Sequence, residues 1–101
     1  MKDEEEKGKL IERMPLLSAA RIDELKKKWG FEYAPEELEY LENLYEGIAK
    51  TQNITGILQE DQARKLCKIS LIIETKIRAG VDFKNELTAY KDTMAIAGFS
   101  Q

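Results

Sequence analysis

Only two prolines, Pro15 and Pro35, interrupt this sequence, and valine occurs once, at Val81. Alternating β-branched runs are therefore scarce, while Glu, Lys, Leu, Ala and Ile dominate; such a chain is predicted to be all-α, a small bundle of about four helices. At 101 residues it can bury a modest core without metals or disulfides, although self-association would add to it.

The punctuation places the helices. Ser18 can cap a helix over 18–29 in which Ile22, Leu25 and Trp29 share one face, and Gly30 stops it. Phe31 to Ala34 read as a short extended link, because a residue preceding proline avoids the helical region and Pro35 suits a first helical position. Over 35–51, Leu38, Leu41, Tyr45 and Ile48 recur at spacings of 3, 4 and 3, with Leu44 widening the stripe. Glu36 and Glu37 lie where the helix dipole favours acids. Gln52, Asn53, Thr55 and Gly56 form a polar turn.

The next helix is predicted over 57–79, with Leu58, Leu66, Ile69, Ile73 and Ile77 on one side and Cys67 and Leu71 nearly opposite. Apolar residues on two sides make it either central to a bundle or shared with a partner subunit. Gly80 ends it and Asp82 can cap a last helix over 82–97. There Phe83, Leu87, Tyr90, Met94 and Ala97 form a narrow heptad seam, and Gly98 ends it, leaving Phe99 to fold back or to touch something else. Residues 1–17 read as a charged, partly mobile lead-in, and 18–101 as one bundle domain. The expected core is Leu25, Trp29, Leu38, Leu41, Tyr45, Leu66, Ile69, Ile73, Leu87 and Tyr90.

Composition removes many chemistries. With no histidine, a Ser-His-Asp triad, a Cys-His pair and imidazole metal ligation are all unavailable. The single Cys67 excludes an internal disulfide, and between Arg64 and Lys68 it reads better as a small buried residue than as a reactive thiolate. No enzyme, metal or cofactor is expected. No apolar run, Leu71 to Ile73 included, approaches the length of a membrane span, which with the lone cysteine suggests a cytoplasmic protein.

Three surfaces remain as candidates. Basic residues form two groups, Arg21 with Lys26, Lys27 and Lys28, and Arg64, Lys65 and Lys68, either of which could lie on phosphates. The turn at Gly56 even makes the second and third predicted helices loosely like a helix-turn-helix pair. The stretch from Glu32 to Glu46 holds only acidic charges, and Glu39, Glu42 and Glu46 share one narrow sector. They suit a solvated face, or a dock for a basic partner. The two-sided helix and the heptad seam favour self-association through Cys67, Leu71, Phe83, Leu87, Tyr90 and Met94. The aromatic run Trp29, Phe31, Tyr33 reads as core anchoring, since its exposure would be costly.

Trp29-Gly30-Phe31-Glu32-Tyr33-Ala34-Pro35-Glu36-Glu37, continuing through Leu38 to Glu42, resembles a W-G-x-x-Y-x-P-E-E segment of small bacteriophage proteins associated with DNA packaging. The nearest named family is the small terminase subunit, and the similarity covers roughly residues 29 to 99. The resemblance implies a non-catalytic oligomer that recognises phage double-stranded DNA and hands it to the large terminase subunit, in the cytoplasm of an infected cell. Trp29, Tyr33 and Pro35 would then be structural. One departure stands against it: the stretch before Trp29 is too short for the N-terminal helix-turn-helix such proteins carry. The alternative class is a phage regulatory or host-takeover adaptor, anti-defence or transcription modulator, using the acidic helix against a basic protein surface.

Overall fold

The computed structural model describes residues 18–99, so the charged lead-in at 1–17 lies outside the described residues. The protein is all-α. Among the described residues the elements are α1 (Ala19–Trp29), α2 (Pro35–Thr51), α3 (Ile57–Ala79) and α4 (Lys84–Ala97). The sequence boundaries agree, except that α4 starts two residues later than expected. Phe83 occupies its N-cap without a side-chain bond, while Asp82 Oδ1 accepts from the Lys84 N–H at 3.3 Å just upstream. The chain divides into two compact units, Met1–Leu38 and Glu39–Gln101, with the boundary inside α2.

In the first unit, Ser18 Oγ accepts from the Arg21 N–H at 3.2 Å and so satisfies a donor that the first helical turn leaves open. Leu25 and Trp29, one turn apart, are buried. The helix stops because Gly30 turns the chain at φ 143°, a conformation a side chain resists, while its N–H still donates to Lys26 O. The link that follows restarts helix geometry at Pro35. There the Glu37 carboxylate reaches back to the Ala34 N–H at 2.8 Å, half of a capping box.

In the second unit α3 is the central element. Its buried residues are Gln62, Ala63, Leu66, Cys67 and Leu71, which at 100° per residue occupy an arc about half the helix wide. On one flank α2 is tied to it by the Tyr40 hydroxyl and Ser70 Oγ at 2.7 Å. On the other flank α4 packs against it. Ala63, Leu66 and Phe99 form the core cluster, with Tyr45, Ile48, Ile54, Tyr90, Met94 and Ala97 packed around it.

Both ends of the α3–α4 pair are closed by the same device. Gly80 is left-handed at φ 69°, with its N–H on Ile77 O and the Val81 N–H on Lys76 O. Gly98 repeats this at φ 74°, with bonds to Ala95 O and, from Phe99, to Met94 O. These paired bonds are Schellman caps, and they satisfy carbonyls that the last turn leaves without partners. The second one folds Phe99 back onto the cluster.

Of the expected core, Leu25, Trp29, Leu38, Leu41 and Leu66 are buried, and Tyr45, Ile69, Ile73 and Tyr90 are half-buried. Leu87 is a correction: it is 38 % exposed, because α4 turns the neighbouring Glu86, Tyr90 and Thr93 toward the interior instead. The stripe on α3 is corrected too. Leu58 and Ile77 are exposed, and the buried arc is rotated toward Cys67 and Leu71 because α3 has helices on two sides. Phe31 does not anchor the core either; at 69 % exposure it stands out from the turn after Gly30.

Across the α3–α4 turn, Lys76 Nζ donates to Glu86 Oε2 at 2.7 Å. That bond holds the Glu86 carboxyl below its ordinary value, with a backbone hydrogen bond adding to the effect. A depressed folded-state value contributes stability above the unfolded value, and the contribution disappears as pH falls through the folded one. Lys76→Met is therefore expected to raise the Glu86 titration midpoint read by NMR and to remove this component of acid sensitivity. An unmoved midpoint would show the bond has no effect in solution.

Candidate functional site

The basic group on α3 is built around a carboxylate. Lys65 Nζ lies 3.1 Å from Asp61 Oδ2, and Arg64 Nη2 lies 4.0 Å from Asp61 Oδ1. Asp61 precedes them by four and three residues, so the helix itself brings the three together. Lys68 stands one turn beyond Arg64 and is half-buried. The patch thus presents three positive charges with a negative one among them, which weakens any phosphate contact it makes.

Lys26, Lys27 and Lys28 occupy the last turn of α1, where cations also stabilise the helix through its dipole. Lys28 Nζ sits 5.3 Å from the centroid of the Trp29 ring, a cation–π arrangement. This group belongs to the first unit and the α3 group to the second.

The acidic candidates on α2 differ among themselves. Glu46 is exposed, while Glu39 and Glu42 are half-buried. Among the described residues, no group of three Asp, Glu or Cys side chains is arranged to hold a metal ion. Glu42 acts instead on Tyr45: burial first, then the charges of Glu60 and Glu42, raise that phenol above its ordinary value, with Arg64 opposing. Tyr33 is raised in the same direction, by burial and then by Glu32 and Glu37. Both phenols therefore stay protonated hydrogen-bonding groups at neutral pH.

The proposed self-association set divides. Cys67 is fully buried and Leu71 is 7 % exposed, so both are corrected from interface to interior. The physical reason is the position of Ser70, their neighbour around the helix, which the Tyr40 bond turns toward α2. Tyr90 and Met94 are half-buried and pack against the Ala63, Leu66 and Phe99 cluster. Phe83 is half-buried and Leu87 exposed, and these two remain on the surface side of the seam.

Sequence reasoning passed over Ile77 and Val81 as surface residues, yet they are 48 % and 51 % exposed. They follow Ile73 along α3 and into the Gly80 turn, and with Leu87 on α4 they give the hairpin tip an apolar surface. Apolar spacing carries no signal for this exposure, because Ile77 falls in the same sector of α3 as the buried Leu66. At the other end of the pair, Ile57, Leu58 and Ile96 are exposed. No described helix is long and apolar enough to cross a membrane.

A family model described as the YonG second domain matches residues 33–100. No curated protein and no solved structure matches the chain. The matched span begins at Tyr33, inside the aromatic link, and takes in α2, α3 and α4.

Proposed function

The chain belongs to the family of YonG second domains, and from that premise we propose that it is a non-catalytic, phage-type assembly protein that works by binding. In this reading it is a self-associating helical component of DNA packaging, of the small terminase type, with copies of itself and the large terminase subunit as protein partners. The observation that carries it is the exposure of Ile77, Val81 and Leu87 on one tip of the α3–α4 hairpin and of Ile57, Leu58 and Ile96 on the other. Large apolar side chains grouped at the surface mark protein contacts more often than lone ones do.

Duplex DNA would meet Arg64, Lys65 and Lys68, or Lys26, Lys27 and Lys28, through phosphates, which position a protein without reading sequence. Asp61 makes one such patch weak. Repetition in a multimer raises its avidity without any new contact.

The adaptor reading is favoured by one specific observation, the partial neutralisation of the α3 basic group by Asp61 beside an α2 whose charges are all acidic as far as Glu46. Light scattering over a wide concentration range, with and without duplex DNA, separates the two. For a packaging component we expect a multimer whose DNA complex is salt-sensitive, with Arg64→Glu combined with Lys68→Glu lowering affinity on the order of tenfold or more. Glu39→Lys with Glu42→Lys and Glu46→Lys should leave that complex intact. A monomer indifferent to DNA would sink the packaging reading, and loss of a protein partner on reversing the three glutamates would establish the adaptor.

A further inference from the structure

We propose that the tip of the α3–α4 hairpin is the contact between two copies of this chain, meeting tip to tip about a two-fold axis. The inference rests on the self-associating reading above and names its surface. Three observations lead to it.

The first is that the inner seam of the hairpin outlasts its cover. The Tyr40–Ser70 bond ties α2 to α3 only five residues after α2 begins. Toward the C-terminus of α3 the inner positions become progressively wetter, with Ser70 and Ile73 half-buried and Ile77 at 48 % exposed. Val81 and Leu87 continue the apolar surface across the turn, at 51 % and 38 %.

The second is that the tip is rigid enough to serve as a template. The Schellman cap at Gly80 fixes the turn, and the Lys76–Glu86 bond locks the two helices together immediately beside it. A pre-formed surface loses little conformational entropy when it binds.

The third observation chooses the occupant. Around the apolar tip stand Glu74, Arg78, Asp82 and Lys84, all exposed, two of each sign. The chain as a whole carries a formal charge of -3, and the acidic face of α2 would repel its own copy. At the tip, opposite charges are interspersed around an apolar centre. An isologous contact requires that arrangement, since each copy then offers both signs to the other. A basic or acidic foreign partner would instead call for a single sign.

The test is sedimentation or light scattering of the full chain with Val81→Glu, Ile77→Glu and, as a control in the turn before α3, the exposed Thr55→Glu. Circular dichroism verifies that each variant keeps its helices. Val81→Glu and Ile77→Glu should raise the dissociation constant of the dimer on the order of tenfold or more, because each copy brings a carboxylate to the same contact. Thr55→Glu should leave it unchanged. A second measurement does not depend on destabilising anything: Val81→Cys should form a disulfide-linked dimer under mild oxidation at low protein concentration, whereas Thr55→Cys should not. The native Cys67 is fully buried and supplies no background. A multimer that ignores Val81→Glu and fails to cross-link at position 81 would overturn the surface and leave the assembly reading standing. A chain that is monomeric at every concentration would overturn both.

Discussion

Leu66→Ala is expected to destabilise the protein by about 3 to 5 kcal/mol, the cost of removing a buried leucine whose cavity does not collapse. Leu66 is 2 % exposed and belongs to the cluster with Ala63 and Phe99, against which Tyr45 and Ile48 of α2 and Tyr90 and Met94 of α4 also pack. A void there removes contacts from three helices at once. Domains of ordinary stability have only about 5 to 15 kcal/mol in total, so the variant should lose a large share of its folded population on modest warming. Urea unfolding followed by circular dichroism measures it. The informative partner is Leu58→Ala: the apolar spacing puts Leu58 in the same sector as Leu66, yet it is 64 % exposed, and its replacement should fall within about 0.5 kcal/mol of the parent. Equal losses at both positions would mean that α3 is rotated relative to the arrangement described here.

That pair of residues also marks where sequence stops being informative. The helix boundaries were legible because their causes are local: Ser18, Pro35 and the glycines at 30, 80 and 98 act within one turn of where they stand. The apolar faces of α1 and α2 were legible because each carries one stripe, and Leu25, Trp29, Leu38 and Leu41 are buried as their spacing requires. α3 carries two stripes. Periodicity ranks Leu58, Leu66 and Ile77 together, but which arc is covered depends on where α2 and α4 lie, and that is set by partners such as Tyr40 and Ser70, thirty residues apart. Small and polar residues, Ala63 and Gln62, then fill buried positions that an apolar count overlooks. On the candidate surfaces, the neutralising role of Asp61 was written in its spacing to Arg64 and Lys65. The exposure of the hairpin tip was not, because Ile77 shares its sector of α3 with the buried Leu66 and spacing alone ranks the two together. The YonG relationship likewise has no counterpart in the composition or the spacing, which reach as far as a small helical binding protein.

Phe99→Ala is expected to cost about 3 kcal/mol or more, within the range for truncating a buried aromatic ring, although the residue lies beyond the last helix. Gly98 at φ 74° reverses the chain, the Phe99 N–H bonds to Met94 O at 3.0 Å, and the ring returns to Ala63 and Leu66 at 8 % exposure. In this cap the second residue past the helix commonly packs against the helix's last turn; here the ring also closes the open end of the α3–α4 pair. Backbone and side chain therefore depend on one another. Gly98→Ala alone should cost about 1 kcal/mol for placing a Cβ in the left-handed region, and it should cost less once the ring is gone, because the turn then has nothing to deliver. The measurement is a double-mutant cycle by denaturant unfolding, with a coupling of about 0.5 kcal/mol or more expected between neighbours that act together. Strict additivity would mean that the ring reaches the core without the turn, and a loss below about 1 kcal/mol for Phe99→Ala would mean that Tyr45, Ile48 and Met94 close the cluster without it.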